Sequence, residues 1–258
     1  MFTKSKLTIS GNIFETYDFQ EDLWYGPLPQ QINLKQKQGK RLKNGTRSEE
    51  SFFRAKGRLK RLIDSNVGQW GNEKLRPRFA TFTFRENITD IKKANSEFTR
   101  FIRKFNYSLK LENSHLKYAT VIEFQKRGAV HYHTLFFNLP YIRNMYDKME
   151  KLWGNGFVIS KKIDKVKNIS SYICKYMTKE MNNKRLYGQK CYFTSMNLKK
   201  PRTIYNESVV RFVSQFMPEE IEPYEKVIPR KHCGAIAYRR YDLTEHQELK
   251  DSLLAFIK

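Results

Sequence analysis

The sequence predicts an α+β fold in which a central antiparallel sheet is flanked by helices. Residues 118–138 are rich in Val, Ile, Phe, Tyr and Thr and are interrupted at 125–128, as in a β-hairpin. Segments with helical periodicity lie on both sides of this hairpin, and further short strands follow it. The predicted order is strand, helix, hairpin, helix, strand, helix, strand, which is typical of an antiparallel sheet packed under helices.

Three elements are predicted before the hairpin or beside its start. Residues 47–66 place apolar side chains on one side and basic ones around the rest, which indicates a helix, although Gly57 weakens the pattern. Residues 79–85, Phe-Ala-Thr-Phe-Thr-Phe-Arg, predict the first strand of the sheet. Residues 90–106 carry apolar side chains at helical spacing and therefore predict a second helix.

Four elements are predicted after the hairpin. Residues 140–153 indicate a helix that has Pro near its first turn and ends at Gly154. Residues 156–163 predict a strand, residues 168–181 a helix, and residues 190–195 another strand. This order places the hairpin strands at the centre of the sheet, under the helix at 168–181.

The two ends of the chain have weaker patterns. Residues 1–45 are polar and poorly periodic, so we expect partial disorder there. Near the other end, residues 208–216 favour a helix and residues 234–241 an edge strand.

These patterns divide the chain into three parts. Residues 1–76 form a basic N-terminal extension with one helix, residues 77–200 a central domain, and residues 201–258 a C-terminal extension of that same domain with no assigned role. A chain of this length suffices for one well-packed domain with flanking additions.

The charge of the chain indicates a polyanionic partner. Lys and Arg number 49 against 26 Asp and Glu, a formal net charge of +23, which is far more than solubility requires. Nucleic acid is therefore the expected partner, and no apolar run is long enough to span a membrane. The chain also lacks a secretory signal, and its three cysteines are widely spaced. We therefore expect a reducing cytoplasm, that of a bacterial host cell.

A candidate metal site lies on the hairpin. His131 and His133 are two residues apart on one strand, so both point to the same side, and Glu123 lies across the turn. Two imidazoles and one carboxylate leave open positions on a divalent cation, as a catalytic metal site requires. Two half-exposed polar residues on a strand are the alternative interpretation of the histidine pair by itself.

A candidate nucleophile site lies on the helix at 168–181, which Asn168 is expected to cap. Tyr172 and Tyr176 are four residues apart and share a face, and Lys175 and Lys179 each follow a tyrosine by three residues. The alternative interpretation is that both tyrosines are core aromatics with their hydroxyls at the protein surface.

Taken together, the E-x7-H-x-H hairpin and the Y-x2-K-Y-x2-K helix resemble the HUH endonucleases, specifically the rolling-circle replication initiators of small phages and plasmids. Residues 79–85 look like the first strand motif of that family, residues 123–133 like its second, and residues 152–158 like the segment that often precedes its tyrosine helix. The resemblance covers about residues 78–198, and it makes residues 77–200 an HUH endonuclease domain.

The resemblance implies a fold, a cofactor and roles for individual residues. It implies that Glu123, His131 and His133 bind Mg or Mn, and that Tyr172 or Tyr176 attacks DNA; whether both tyrosines react is left open. The expected substrate is single-stranded or hairpin DNA at a replication origin.

The expected chemistry also follows from the residue types. A tyrosine hydroxyl has a pKa near 10, so it needs nearby positive charge to act as a nucleophile, and a cation with Lys175 and Lys179 would supply it. The product is a 5′ phosphotyrosine with a free 3′ hydroxyl, which a second hydroxyl can reverse without ATP. The basic residues expected to contact DNA are Arg54, Arg58, Arg61, Arg85, Lys126 and Arg127.

Other functions remain open at this point. A conjugative relaxase or a single-strand transposase would use the same chemistry, a metal hydrolase would use bound water instead of tyrosine, and a non-enzymatic DNA-binding regulator would need none of these side chains. The sequence has no G-x4-G-K-[ST] motif, so an initiator of replication is expected to depend on a host helicase and polymerase.

Overall fold

A computed structural model describes residues 1–26, 49–68, 76–109, 115–140, 142–163, 168–181, 183–230 and 234–257. Within these ranges the strands are β1 (Phe2–Ser10), β2 (Ile13–Trp24), β3 (Arg76–Thr83), β4 (Tyr118–Phe124), β5 (Val130–Leu139), β6 (Val158–Lys162), β7 (Tyr192–Thr194), β8 (Arg202–Ile204), β9 (Tyr224–Arg230) and β10 (Gly234–Asp242). The helices are α1 (Glu49–Asp64), α2 (Ile91–Leu109), α3 (Met145–Trp153), α4 (Ile169–Lys179), α5 (Glu207–Phe216) and α6 (Gln247–Phe256). The α+β prediction is confirmed. The chain forms two compact units, residues 44–199 and residues 1–43 with 200–258.

The unit at 44–199 contains a five-stranded sheet in the order β6-β3-β5-β4-β7. Every described pair of neighbouring strands is antiparallel, and the predicted hairpin forms β4 and β5. Strand β5 lies at the centre of the sheet, as expected. The hairpin turn contains Gly128 with φ 91°, a conformation that glycine adopts without the steric penalty of a side chain.

The two faces of this sheet have different roles. One face carries Tyr132 and Phe82, whose rings pack on Phe98 of α2 and Trp153 of α3. Large aromatic side chains bury much apolar area, so this face contributes a main part of the hydrophobic core. The opposite face carries the histidines of β5 and is approached by α4.

Helix α3 and the segment after it differ partly from the prediction. The helix begins at Met145, five residues after Pro140, because Asn144 before it adopts a left-handed conformation with φ 58°. Its predicted end is confirmed, since Gly154 forms a left-handed cap and donates to the carbonyl oxygen of Glu150. A Cβ at Gly156 would lie 2.2 Å from the carbonyl oxygen of Thr83, so only glycine allows this approach to β3.

The second unit, residues 1–43 and 200–258, has its own five-stranded sheet in the order β8-β1-β2-β10-β9. Side chains of β1, β2 and β10 pack with α5 and α6 in a separate core, which includes Leu7, Phe14, Val213, Tyr241 and Leu253. The structure therefore places both ends of the chain in one unit, whereas the sequence-based division treats them as two extensions.

Two predictions for the chain ends are wrong. Residues 2–24 are not disordered but form β1 and β2, and β10 is not an edge strand, because β2 and β9 pair with it on either side. The remainder of the segment expected to be disordered, from residue 27 onward, lies outside the described residues. The helix predicted at 208–216 is confirmed as α5. No helix in the described ranges has the length and apolar character needed to cross a membrane.

Candidate metal and nucleophile site

Glu123, His131 and His133 meet on one face of the sheet. Strand pairing places Glu123 directly opposite His131, and His133 follows two residues along β5. Each of the three side chains offers a ligand atom, and these atoms all lie within 4.8 Å of one another. Tyr132 points to the other face, where its hydroxyl donates to Asn95.

Hydrogen bonds hold two of the three side chains in place. His133 Nε2 contacts a carboxylate oxygen of Glu123, and His133 Nδ1 lies 3.1 Å from the hydroxyl of Thr81. The second oxygen of Glu123 accepts from the ammonium group of Lys179 at 2.7 Å. Both nitrogens of the His133 ring are therefore in contact with a polar partner, which fixes the ring orientation.

His131 is the least satisfied member of the cluster. Its Nε2 is buried and has no hydrogen-bond partner among the described residues, an arrangement that normally costs free energy. Ligands bound to one ion at about 2.1 Å lie at most about 4.2 Å apart, so a small closing movement of these side chains would accommodate a cation. The donor set, two imidazoles and a carboxylate, fits a divalent ion.

The charge states of the cluster favour a cation at neutral pH. Burial, together with the nearby His133, lowers the pKa of His131 to about 4, so its imidazole is neutral and free to act as a ligand. Burial alone would raise the pKa of Glu123, but hydrogen bonds from His133 and Lys179 outweigh it and lower the pKa to about 2. Glu123 is therefore an anion.

Helix α4 brings both tyrosines to this cluster. Asn168 caps the helix, as predicted, because its side-chain oxygen accepts from the amide of Ser171 at 2.9 Å. The Tyr176 ring stacks on the His133 ring with centroids 3.7 Å apart. The Tyr176 hydroxyl donates to the Tyr172 hydroxyl at 3.3 Å, so the two candidate nucleophiles lie side by side.

Phe79 of β3 forms an aromatic base under both tyrosines. Its ring centroid lies 5.2 Å from that of Tyr172 and 5.6 Å from that of Tyr176. On the outer side of α4, the ammonium group of Lys175 lies 4.0 Å from the Tyr172 ring centroid. Positive charge therefore faces the tyrosine rings, in an arrangement typical of cation–π contacts.

The electrostatics distinguish Tyr176 from an activated nucleophile in this state. Burial raises the pKa of its hydroxyl, and so do its hydrogen bond to Tyr172 and the nearby anion Glu123. Tyr176 is therefore protonated at neutral pH and serves as a donor to Tyr172. The oxygen of Tyr172 accepts this bond, which favours negative charge on that oxygen.

The basic residues expected to contact DNA lie in two places. On α1, Arg54 and Arg58 are exposed and Arg61 is half-buried, and Arg54 pairs with Glu50 at 3.6 Å. Near the hairpin turn the candidates are Arg85, Lys126 and Arg127.

The three candidates at the hairpin differ in availability. Arg85 and Lys126 are exposed. The guanidinium group of Arg127 donates to the carbonyl oxygens of Phe84 and Arg85 and to the side chain of Gln125. Arg127 therefore ties the hairpin turn to the end of β3.

Three residues that support the site were not identified from the sequence. Thr81 orients His133, Phe79 underlies the tyrosines, and the buried carboxylate of Glu180 accepts from the amide of Phe124 at 3.0 Å. Glu180 follows α4 directly, so this bond ties the end of the helix to the end of β4. Thr81 and Phe79 lie inside the first strand motif, where alternation along the strand places both on the histidine face.

Residues 77–181 match the model of a protein family described as replication-associated protein ORF2. The matched segment contains Glu123, both histidines and both tyrosines, and the match is consistent with a rolling-circle replication initiator that acts on DNA at an origin. No curated protein and no solved structure matches the chain.

Proposed function

We propose, from the family match and the geometry of the site, that this protein initiates rolling-circle replication by nicking and rejoining single-stranded DNA in a metal-dependent, sequence-specific reaction. In this proposal a tyrosine of α4 becomes linked to the 5′ phosphate of the cut strand. The substrate is single-stranded or hairpin DNA at an origin, and the host supplies the helicase and polymerase.

One observation carries the proposal: the Tyr176 ring lies directly on His133, a member of the metal-ligand cluster. A metal hydrolase that uses water has no need of a tyrosine pair at this position. A DNA-binding regulator has no need of a buried, unsatisfied imidazole nitrogen beside a carboxylate. The combination therefore favours a reaction at one phosphate between the cluster and the tyrosines.

The cluster supports a divalent cation, Mg or Mn, held by Glu123, His131 and His133. When bound, it would polarise the scissile phosphate and stabilise negative charge on the departing 3′ oxygen. Lys179 would balance the charge of Glu123 and keep the carboxylate directed at the cluster. Thr81 would keep the His133 ring in its orientation.

The hydrogen bond between the tyrosines assigns them different roles in the first step. Tyr172 accepts from Tyr176, so its oxygen is the better nucleophile. The Tyr172 oxygen forms a bond to phosphorus while the bond from phosphorus to the 3′ oxygen breaks. The phenol proton leaves to solvent, and the 3′ oxygen takes up a proton. Tyr176 then lies close enough to perform a second transfer, and reversal by a 3′ hydroxyl rejoins the DNA.

The test is formation of a covalent adduct between the full chain and a labelled single-stranded oligonucleotide from its own replicon, with Mn or Mg present. We expect an adduct that survives denaturation, is absent with a chelator, and maps by mass spectrometry to the peptide of α4. Tyr172→Phe should abolish the first adduct, whereas Tyr176→Phe should retain it and lose the second transfer. The double variant should form none.

The matched control is Tyr107→Phe, because Tyr107 lies on α2 and is 86% exposed. This variant should form the adduct like the unmodified chain. An adduct that persists in the double variant overturns the nucleophile assignment. Cleavage without an adduct would indicate hydrolysis by water, and binding without cleavage would indicate a regulator.

A further inference from the structure

Helices α1 and α4 enclose an open groove of about 510 Å³. We name it the α1–α4 groove. Its lining residues are Lys56, Lys60, Ser171, Cys174, Lys175, Thr178 and Lys179.

The α1–α4 groove is strongly basic. Two of its lysines lie four residues apart on α1 and two lie four residues apart on α4, so each helix presents two ammonium groups about 6 Å apart along its axis. None of the lining residues is acidic. Asp64 at the end of α1 is the nearby carboxylate that acts electrostatically on Cys174.

The two walls of the groove are held at a fixed separation. The thiol of Cys174 donates to the carbonyl oxygen of Lys56 at 3.9 Å, and Cys174 is buried between the helices. Its own helix is anchored to the sheet through Tyr176 and Glu180. The four ammonium groups are therefore presented by rigid elements, which lowers the ordering cost of binding a ligand.

The groove is continuous with the candidate active site. Lys179 lies in the groove lining, and its ammonium group contacts Glu123 at 2.7 Å. Lys175 lines the groove as well, and its ammonium group lies over the Tyr172 ring. An anionic chain in the groove would therefore reach the cluster at one end.

We propose that the α1–α4 groove binds the phosphodiester backbone of single-stranded DNA next to the nicked phosphate, with Lys56 and Lys60 as its main contacts on α1. This inference rests on the proposed function and deepens it. The lining has hydroxyls and ammonium groups but no aromatic ring to stack a base. The groove therefore positions the strand through its phosphates and does not read its sequence.

The choice of Lys56 and Lys60 differs from the arginines expected on α1. Arg54 and Arg58 are exposed and absent from the groove lining. Alternation around the helix turns Lys56 and Lys60 toward α4 instead. Substitutions at these lysines should therefore weaken DNA binding more than equal changes of charge elsewhere.

The test measures the salt dependence of binding. The full chain is titrated with a labelled oligothymidylate of about 16 nucleotides, with a chelator present, between about 50 and 200 mM salt. For the double variant K56Q/K60Q we expect the slope of log K against log salt to become shallower by about 1.4, or about 0.7 per lost phosphate contact on a single strand. If both proteins bind equally at 1 M salt, this is roughly 25-fold weaker binding at about 0.1 M.

Two further variants make the result specific. K92Q/K93Q removes the same charge from exposed positions on α2 and should leave the slope within about 0.3 of the unmodified chain. K56R/K60R keeps the charge and should restore the slope. The proposal is overturned if K56Q/K60Q keeps the original slope, or if K92Q/K93Q loses as much.

The adduct assay separates this proposal from the proposed function. An adduct in the unmodified chain together with an unchanged slope in K56Q/K60Q overturns the groove and leaves the nicking activity standing. No adduct in any variant, with a shallower slope in K56Q/K60Q, overturns the nicking activity and supports the groove as a DNA-binding surface.

Discussion

Removal of one hydroxyl next to His133 tests how the metal-ligand cluster is held. Thr81 on β3 lies directly opposite His133 on β5, and its hydroxyl is 3.1 Å from His133 Nδ1. Thr81→Val keeps the shape of the side chain but removes this partner. We expect Mn to bind more weakly to the Thr81→Val variant.

The size of the effect follows from the contacts that remain. Loss of a hydrogen bond to a metal-ligating histidine typically costs 10- to 100-fold in metal affinity, which is about 1.4–2.7 kcal/mol. His133 would still contact Glu123 and stack on Tyr176 at 3.7 Å. We therefore expect the lower end of that range, about tenfold weaker binding.

Calorimetric titration of the metal-free protein with Mn measures the change. Thr81→Ser keeps the hydroxyl and should bind Mn nearly as well as the unmodified chain. Thr203→Val makes the same change on an exposed position of β8 and should leave affinity unchanged. Equal affinity of Thr81→Val and the unmodified chain would refute the view that this hydroxyl positions His133.

Three further predictions concern single residues. Mn should raise the thermal unfolding midpoint of the unmodified chain, because it binds only the folded state, and His131→Ala should abolish that rise in a melting experiment. The folded-state pKa of Glu123 is lowered to about 2 from the usual 4.5, so its contribution to stability is present above about pH 4.5 and is lost as pH falls toward 2; in metal-free unfolding titrations, Glu123→Gln should show a smaller loss over that window. Gly156→Ala should lower the free energy of unfolding by about 2 kcal/mol or more, because the added Cβ would lie 2.2 Å from the carbonyl oxygen of Thr83. Gly57→Ala, whose Cβ meets only the end of a flexible side chain, should raise it by about 0.5–1 kcal/mol; equal effects of the two alanines in denaturant titrations would contradict the steric argument.

Local patterns predicted the elements that carry the candidate site. Alternation along β5 places His131 and His133 on one face, and the turn at Gly128 brings Glu123 beside them. Helical spacing places Tyr172 and Tyr176 together on α4. These relations involve residues close in the chain, so their geometry follows from strand and helix periods.

Contacts between distant segments were harder to predict. Strands β1 and β2 pair with β8 and β10 from the other end of the chain, and their sequences mix charged and apolar residues. Without the partner strand, such segments have too little apolar surface to indicate order. The start of α3 was also misplaced, because the left-handed conformation of Asn144 has no clear sequence signal.

By itself, the sequence determined which chemical groups are present and which of them share a face: a carboxylate and two imidazoles on a hairpin, and two tyrosines on a helix. The tertiary structure alone decided that the Tyr176 ring lies on His133, that Thr81 orients that histidine, and that Lys56 and Lys60 of α1 face α4. The physical reason is that side-chain direction depends on local backbone geometry, whereas the meeting of separate elements depends on how the whole chain buries its apolar surface.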